Sequence, residues 1–213
     1  KGVFPVKVNQ QAQVIDRIVE FGKEFDFGLE VGSKPELLIA LAHDLSANST
    51  IICNGIKDRE FIHLAILSIK IGFKTILVLE SPRELDLIIK ISKELNVRPL
   101  LGIRVKLTNK VSGNWSQSSG DRSAFGLSVE QVMEVINKLK IYDYLDCLIL
   151  QHSHLGSQIP DIIEIRKATQ EACRFFSEMS KLGAPLTYLD LGGGLGVDYT
   201  GEQKSAFNSI NYS

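Results

Sequence analysis

The sequence contains no long hydrophobic run, although 44% of its 213 residues are hydrophobic. No stretch reaches the roughly 18 consecutive apolar residues that a membrane-spanning helix needs. No signal-peptide pattern is visible either, which would be a basic segment, a short apolar run and then small residues. We therefore expect a protein without a membrane span that works in the cytoplasm.

Cysteine is scarce, and the charges nearly balance. Cys53, Cys147 and Cys173 are odd in number and widely spaced, and no C-x-x-C pair occurs. This argues against a disulfide framework and against a zinc site of the usual spacing. Cys53 and Cys147 fall in predicted strands, where we expect them to be core residues. A formal net charge of −1 provides no basic surface for nucleic acid.

Short apolar runs alternate along the chain with segments of helical periodicity. Strands alternating with helices indicate a parallel sheet covered by helices. The pattern predicts an α/β fold, an incomplete (β/α)₈ barrel of the TIM type with strands 1–7, whose complete form has about 250 residues. An open doubly wound sheet is the alternative. The predicted strands lie near 2–8, 27–31, 50–54, 75–79, 99–105, 146–152 and 187–191, and the predicted helices near 10–22, 34–46, 58–72, 82–95, 128–140 and 160–182.

Each predicted strand ends in a polar residue or a glycine. Any strand can do so as it leaves the core, but that explanation covers one or two positions better than all seven. A barrel gathers its strand ends on one face, where active sites form, so we predict a site on that face. The residues concerned are Lys7 with Asn9, Glu30, Asn54, Glu80, Arg104, His152 with His154, and Gly192 to Gly194.

Lys7 lies in a short apolar run, Val3 to Asn9, which predicts a buried strand. Burial disfavours a charged ammonium group. A neutral lysine amine is suited to forming a Schiff base with a carbonyl group. A lysine at a strand end can also extend its charge into solvent, and Lys7 by itself would favour that simpler interpretation.

Two loops could complete a site around Lys7. Gly192, Gly193 and Gly194 follow the last predicted strand, and glycines let backbone amides approach a phosphate closely. Their spacing fits neither the dinucleotide fingerprint nor a P-loop. His152 and His154 share one face of the preceding strand, and Ser157 follows them with a hydroxyl group. A metal pair is conceivable there, but no carboxylate or cysteine stands at ligand spacing.

Together these features describe one ligand. An aldehyde would meet Lys7, an aromatic ring would stack on a histidine, and a phosphate would meet Ser157 and the triple glycine. Pyridoxal 5′-phosphate has these three groups, and a lysine Schiff base is its usual mode of attachment.

The residues also resemble a known family. The sequence is similar to the fold-type III pyridoxal-phosphate decarboxylases, and within them to the arginine decarboxylases. The lysine and histidine motifs are shared by the wider superfamily, whereas the second and third stretches below are more particular to arginine decarboxylases. The matching stretches are Gly2 to Gln10, Phe27 to Leu37, Cys53 to Asp58, His152 to Pro160 and Asp190 to Tyr199.

The resemblance implies roles for individual residues. Lys7 would carry the cofactor, His154 would stack on its ring, and Arg104 would lie beneath it. Ser157 with Gly192, Gly193 and Gly194 would hold the phosphate, while Glu30 and Glu36 align with acidic positions near the cofactor. The implied reaction converts L-arginine to agmatine and CO₂ in polyamine biosynthesis, in a homo-oligomer, either a dimer or a tetramer of dimers, that also uses Mg²⁺.

The sequence departs from the family at several points. Ser153 and Ala124 replace a phenylalanine and a lysine; we expect Ser153 to point away from the cofactor. A long polar loop is predicted from about Thr108 to Ser128. The eighth strand and the C-terminal β-domain of the family are missing, so we expect residues 1–213 to be the barrel part of a longer enzyme, with little activity alone.

Two other functions stay open at this point. One is decarboxylation or racemisation of a different amino acid by the same superfamily, such as ornithine or diaminopimelate. The other is a non-catalytic cofactor-binding homologue. Lys7, His154 and the triple glycine argue against the second, because an interaction module has no need of an amine that traps aldehydes.

Overall fold

The computed structural model describes residues 1–107 and 125–197. Within these ranges strands and helices alternate along the chain. The strands are β1 (Val3–Pro5), β2 (Gly28–Val31), β3 (Thr50–Cys53), β4 (Lys74–Leu79), β5 (Leu100–Arg104), β6 (Leu148–His154) and β7 (Tyr188–Gly192). The helices are α1 (Ala12–Gly22), α2 (Lys34–Leu41), α3 (Arg59–Lys70), α4 (Pro82–Leu95), α5 (Val129–Tyr142) and α6 (Ile162–Lys181).

The strands form one parallel sheet in the order β1-β2-β3-β4-β5-β6-β7. A doubly wound sheet requires the strand order to reverse at a switch point, and this sheet has no reversal among the described residues. Sequential parallel order is that of a (β/α) barrel. The predicted incomplete barrel is therefore confirmed, and the alternative of an open doubly wound sheet is wrong.

Several helices begin where short polar side chains cap them. Ser33 accepts a hydrogen bond from the Glu36 N–H before α2, and Asp58 accepts one from the Phe61 N–H, at 2.8 Å, before α3. Such caps satisfy N–H groups that the first helical turn leaves unpaired. α2 and α4 each begin three residues after the preceding strand ends, whereas α5 begins 25 residues after β5.

The described residues form three core clusters. One of them, Leu107, Leu155, Ile159, Ala168 and Ala172, lies beside α6, and the other two cover the two faces of the sheet. The larger of these two lies between the sheet and the helices and includes Leu29, Ile51, Leu77 and Leu101, all fully buried. A smaller cluster occupies the inner face of the sheet, with Ile52, Ile76, Val78 and Leu150 as its buried members. Apolar packing on both faces is expected for a parallel sheet of this kind.

The inner face of the sheet is concave. Lys74 on β4 donates a hydrogen bond of 2.7 Å to the Tyr188 hydroxyl on β7. In a flat sheet, β5 and β6 would separate β4 from β7, and neighbouring strands lie nearly 5 Å apart. One side-chain contact could not span that distance. The sheet therefore curls around its inner cluster.

Some predicted boundaries were wrong. The first strand ends at Pro5 rather than near residue 8, and the second helix ends at Leu41 rather than near residue 46. The sixth strand continues to His154. Most of the predicted loop from Thr108 to Ser128 lies outside the described residues.

The two cysteines predicted to be core residues are buried. Burial raises the pKa of the Cys53 thiol to about 12 and that of the Cys147 thiol to about 11, so both stay protonated at neutral pH. Of the helices that the structure describes, none combines the length and the apolar character needed to cross a membrane.

Candidate active site

A cavity of about 820 Å³ lies on the concave face of the sheet. Its walls come from the ends of β1, β2, β3, β5, β6 and β7 and from the loops that follow them. Every residue predicted to bind the cofactor lines this cavity: Lys7, Glu30, Arg104, His154, Ser157, Gly192, Gly193 and Gly194. The structure thus brings together residues that are up to 187 positions apart in the sequence.

Lys7 is not the buried strand lysine that its apolar surroundings predicted. It lies in a 3₁₀ turn, Val6–Val8, which directly follows β1 and is closed by a hydrogen bond from Asn9 N to Val6 O. Val6 takes the buried position, while the Lys7 side chain is 59% exposed. The turn presents the Lys7 amine to the cavity, at the end of the first strand, but the prediction that this lysine is buried was wrong.

Glu30, at the end of β2, lies beside Lys7. Its Oε1 atom is 3.7 Å from Lys7 Nζ and accepts a hydrogen bond of 3.1 Å from the Asn54 side-chain amide. The Glu30 side chain is largely buried, with 14% exposed. The acid is therefore held between Lys7 and Asn54 and supplies negative charge next to the lysine.

Glu36 serves the site only indirectly. Its carboxylate accepts hydrogen bonds from the Gly32 N–H at 2.8 Å and from the Gln10 side chain at 3.5 Å. It is not among the residues that line the cavity. The resemblance placed this acid near the cofactor, but the structure uses it to hold the turn after β2, one layer behind the cavity wall.

His154 is the last residue of β6, and its ring is accessible from the cavity. The surrounding walls nevertheless desolvate the ring, and this is the main cause that lowers the pKa of His154 to about 4. The positive charge of Arg104 acts in the same direction, followed by His152 and Lys7. His154 is therefore neutral at physiological pH, as a ring that stacks on an aromatic ligand should be.

His152 lies one layer deeper on the same strand face, as alternation predicted. Its Nδ1 atom is 2.7 Å from Asp190 Oδ2, and the two residues are direct partners in the register of β6 and β7. Ser153, between the two histidines, is fully buried on the opposite face beside Gln151, which confirms that it points away from the cavity. The sequence analysis gave no role to Asp190, which lies in the middle of β7.

The triple glycine packs tightly against the loop after β6. A Cβ atom on Gly192 would lie 2.7 Å from the His152 ring, and one on Gly193, whose φ is +134°, would lie 2.8 Å from Gly156 O. The Gly194 N–H donates to Gly156 O at 2.8 Å. Glycine is therefore required for this close approach, and Gly194 braces the loop with its amide rather than offering it to a ligand.

Ser157 stands at the edge of the same loop. Its hydroxyl has no hydrogen-bond partner among the described residues, and it lines the cavity beside Gly193 and Gly194. A free hydroxyl next to a glycine-rich turn suits the binding of a phosphate group.

The cavity fits pyridoxal phosphate in its chemistry. It has an accessible amine at Lys7, a neutral aromatic ring at His154 and a guanidinium at Arg104. It also has a glycine cradle, Gly192 to Gly194, where a Cβ atom at Gly192 or Gly193 would collide with His152 or with the loop after β6. No metal site accompanies it: within residues 1–107 and 125–197, no group of three or more histidine, cysteine, aspartate or glutamate side chains could hold an ion. The use of Mg²⁺ that the resemblance implied stays a prediction.

The comparisons with known proteins show the family to which the chain belongs. Residues 1–213 match the family described as "Pyridoxal-dependent decarboxylase, pyridoxal binding domain". The fold and the site thus define a pyridoxal-binding (β/α) barrel of the fold-type III class. The chain belongs to the pyridoxal-dependent decarboxylase family.

Individual relatives are biosynthetic arginine decarboxylases. The chain is 50% identical over all its 213 residues to that of Prochlorococcus marinus (strain MIT 9215), covering 33% of the relative. It is 49% identical to that of Nostoc sp. (strain PCC 7120 / SAG 25.82 / UTEX 2576), covering 31% of it. The chain thus spans about a third of the length of the curated relatives that it matches.

Solved structures give the same picture. The biosynthetic arginine decarboxylase SpeA from Campylobacter jejuni matches 100% of this chain and 34% of its own chain, with a TM-score of 0.86 and 37% identity. Diaminopimelate decarboxylase from Helicobacter pylori, complexed with L-lysine, matches 97% of this chain and 50% of its own, with a TM-score of 0.79 and 22% identity. The second likeness is one of fold.

Proposed function

We propose that the protein to which this chain belongs decarboxylates L-arginine to agmatine and CO₂ with pyridoxal phosphate, as a step of polyamine biosynthesis. One observation carries the proposal: a single cavity holds an accessible lysine, a neutral histidine, an arginine and a glycine cradle. The identity of about half the residues with biosynthetic arginine decarboxylases supports arginine over other amino acids.

The residues of this chain have separate tasks. Lys7 supplies the amine that holds the aldehyde of the cofactor, and Glu30 lies within 3.7 Å of that amine as its counter-charge. His154 stacks on the ring in its neutral form, while Ser157 and the loop Gly192 to Gly194 hold the phosphate. When bound at these residues, pyridoxal phosphate would supply an electron sink for loss of the carboxylate.

The cavity also orients the reacting groups before they react. Lys7 follows a strand whose register is fixed by pairing Pro5 with Glu30, so the amine and the acid cannot drift apart. His154 and Gly192 are register partners on β6 and β7, which fixes the stacking ring relative to the phosphate cradle. Preorganisation of this kind supplies much of the rate enhancement in enzymes.

The proposal is tested by CO₂ release from the complete protein with added pyridoxal phosphate. Arginine, ornithine, lysine and diaminopimelate are supplied in turn, and the variant Lys7→Ala serves as the inactive control. We expect release from arginine alone and none from the variant. Release of CO₂ from another amino acid would show that the assignment to arginine is wrong while the family assignment stands. Release from none of them would favour a racemase or a non-catalytic homologue.

Three further expectations stay predictions. These are assembly of the complete protein into a homo-oligomer, use of Mg²⁺, and action in the cytoplasm. Sedimentation of the complete protein and assay after metal removal would test the first two.

A further inference from the structure

Glu80 joins the ends of three strands. It directly follows β4, and its side chain is 1% exposed. Its Oε1 atom accepts hydrogen bonds from the Gly55 N–H at 3.0 Å and from Arg104 Nη1 at 2.9 Å, and its Oε2 atom accepts one from the Gly126 N–H at 3.0 Å. Gly55 follows β3, Arg104 ends β5, and Gly126 belongs to the segment that pairs beside Arg104. A single carboxylate therefore ties these segments together behind the cavity wall.

A second buried acid fixes Glu80 in turn. Glu84 accepts hydrogen bonds of 2.9 Å from the backbone N–H groups of Glu80 and Lys57. The Lys57 side chain is fully buried, lies 3.3 Å from Glu84 and donates to two backbone carbonyl groups at 2.5 Å. Lys57 and Glu84 thus form a buried pair of opposite charge, and Glu84 links this pair through the Glu80 backbone N–H to the Glu80–Arg104 pair. Buried charges persist only when they are paired and hydrogen-bonded in this way.

Arg104 is the member of this network that reaches the cavity. Its side chain is 17% exposed, and its guanidinium carbon lies 5.4 Å from the centre of the Phe125 ring. Glu80 holds one of its nitrogen atoms from behind. The remaining donors of the planar guanidinium can therefore meet a ligand without any change of position.

We propose that Glu80 is a positioning residue, which holds the Arg104 guanidinium at the cavity wall so that Arg104 meets the bound cofactor already oriented. The inference rests on the proposed function, since it concerns binding of pyridoxal phosphate in the same cavity. A residue held in place by a buried partner loses less conformational freedom when a ligand binds.

The main test is Glu80→Gln in the complete protein. Glutamine keeps the size of the side chain and one acceptor oxygen, but it loses the charge and the second acceptor. We expect the dissociation constant for pyridoxal phosphate, measured by fluorescence titration, to rise on the order of tenfold, the size expected when a charge-assisted hydrogen bond is lost. Glu134→Gln, which removes an exposed acid paired with Lys138, is the matched control and should leave the constant unchanged.

A second measurement separates positioning from general stability. Arg104 is one cause of the low pKa of His154, so a change in the position of Arg104 caused by Glu80→Gln should shift that pKa. The pKa of His154 is followed by NMR in the protein without cofactor. An unchanged His154 titration together with a lower melting temperature would indicate that Glu80 only supports the loops, which would overturn the inference.

A double-mutant cycle completes the test. If Glu80 acts through Arg104, then Glu80→Gln should weaken cofactor binding less than about twofold in a protein that already carries Arg104→Met. If Glu80→Gln weakens cofactor binding by the same factor with and without Arg104→Met, the two residues act independently, which would contradict the proposal. Should Glu80→Gln fail to fold, Glu80→Asp keeps the charge but withdraws it from Arg104; we expect a smaller loss of affinity, and wild-type affinity would overturn the inference.

The two proposals fail in different ways. If the unchanged protein binds no pyridoxal phosphate, the proposed function is wrong. If the unchanged protein binds pyridoxal phosphate, and Glu80→Gln binds it equally well and leaves the pKa of His154 unaltered, only the proposed role of Glu80 is wrong.

Discussion

The protonation state of His154 governs what the cavity can bind. Burial and the nearby charge of Arg104 lower its pKa from 6.5 to about 4. The neutral ring presents an aromatic face without adding a further positive charge to a cavity that already holds Lys7 and Arg104. An ordinary histidine would be half protonated at pH 6.5 and would repel both.

This pKa shift gives a prediction with a definite sign. Because the folded-state pKa lies below the unfolded value, the unfolded chain binds the proton first as the pH falls. Above about pH 6.5, burial of His154 should therefore leave the free energy of unfolding unchanged. As the pH falls from about 6.5 to 4, it should lower that free energy progressively. NMR titration should show His154 still neutral at pH 5, with His154→Gln identifying the signal. A midpoint near 6.5 would contradict the description of the cavity.

Gly193 makes a prediction about the glycine cradle. Its φ of +134° disfavours any other residue, and a Cβ atom would collide with Gly156 O at 2.8 Å. We expect Gly193→Ala to cost on the order of 1–3 kcal/mol of stability through strain, and to weaken cofactor binding as the two loops separate. Thermal unfolding and fluorescence titration measure the two effects.

Gly72 provides the matched control for Gly193. It also has a positive φ, +105°, but a Cβ atom there would meet nothing within 4 Å. Gly72→Ala should therefore show the conformational cost without the collision and without loss of cofactor binding. Equal effects of the two substitutions on binding would mean that the Gly193 contact does not shape the site.

The location of individual residues was predictable where the sequence pattern indicated it. The strand-end position of Lys7 was enough to place it in the cavity, but its burial was not predictable, because Pro5 ends the strand and a 3₁₀ turn follows. The partners of Glu36 were not predictable either. Its hydrogen bond to the Gly32 N–H depends on the geometry of the helix start rather than on residue type.

Among the elements, helix starts were predicted better than helix ends. Capping residues such as Ser33 and Ser128 act locally, so the sequence around them is sufficient. The end of α2 depends instead on distant partners. His43 Nε2 lies 3.1 Å from Asp16, and Asp44 pairs with Lys23, so contacts with α1 and the turn after it compete with continued helix.

The capping box of α5 yields a prediction at this scale. Ser128 accepts from the Gln131 N–H, and the Gln131 side chain accepts from the Ser128 N–H at 3.0 Å. Ser128→Ala should lower the free energy of unfolding by about 0.5–2 kcal/mol. Denaturant unfolding of the complete protein would measure the change.

Ser180→Ala is the comparison for this cap. Ser180 lies in the last turn of α6, where its hydroxyl donates to Phe176 O at 2.9 Å instead of capping N–H groups. Alanine favours a helix more than serine does at such a position, so stability should hardly change. If Ser180→Ala lowers the free energy of unfolding as much as Ser128→Ala does, the loss at Ser128 cannot be assigned to its helix cap.

For the whole molecule, the alternation of strands and helices was sufficient to predict the sheet. It predicted parallel strands, and the number of βα units favoured a barrel. The curvature itself was not predictable, because it depends on contacts such as that between Lys74 and Tyr188, 114 residues apart. The network behind the cavity, from Arg104 to Glu84, likewise emerges only when the βα units pack side by side.

The central claim is that Lys7 is the residue that holds the cofactor, and it can be tested directly. The complete protein is incubated with pyridoxal phosphate, treated with borohydride, digested and analysed by mass spectrometry. We predict a pyridoxyl phosphate group fixed to Lys7, with no labelling in Lys7→Ala and none at Lys57, which is fully buried. Labelling at another lysine, or equal labelling in Lys7→Ala, would contradict the account of the site.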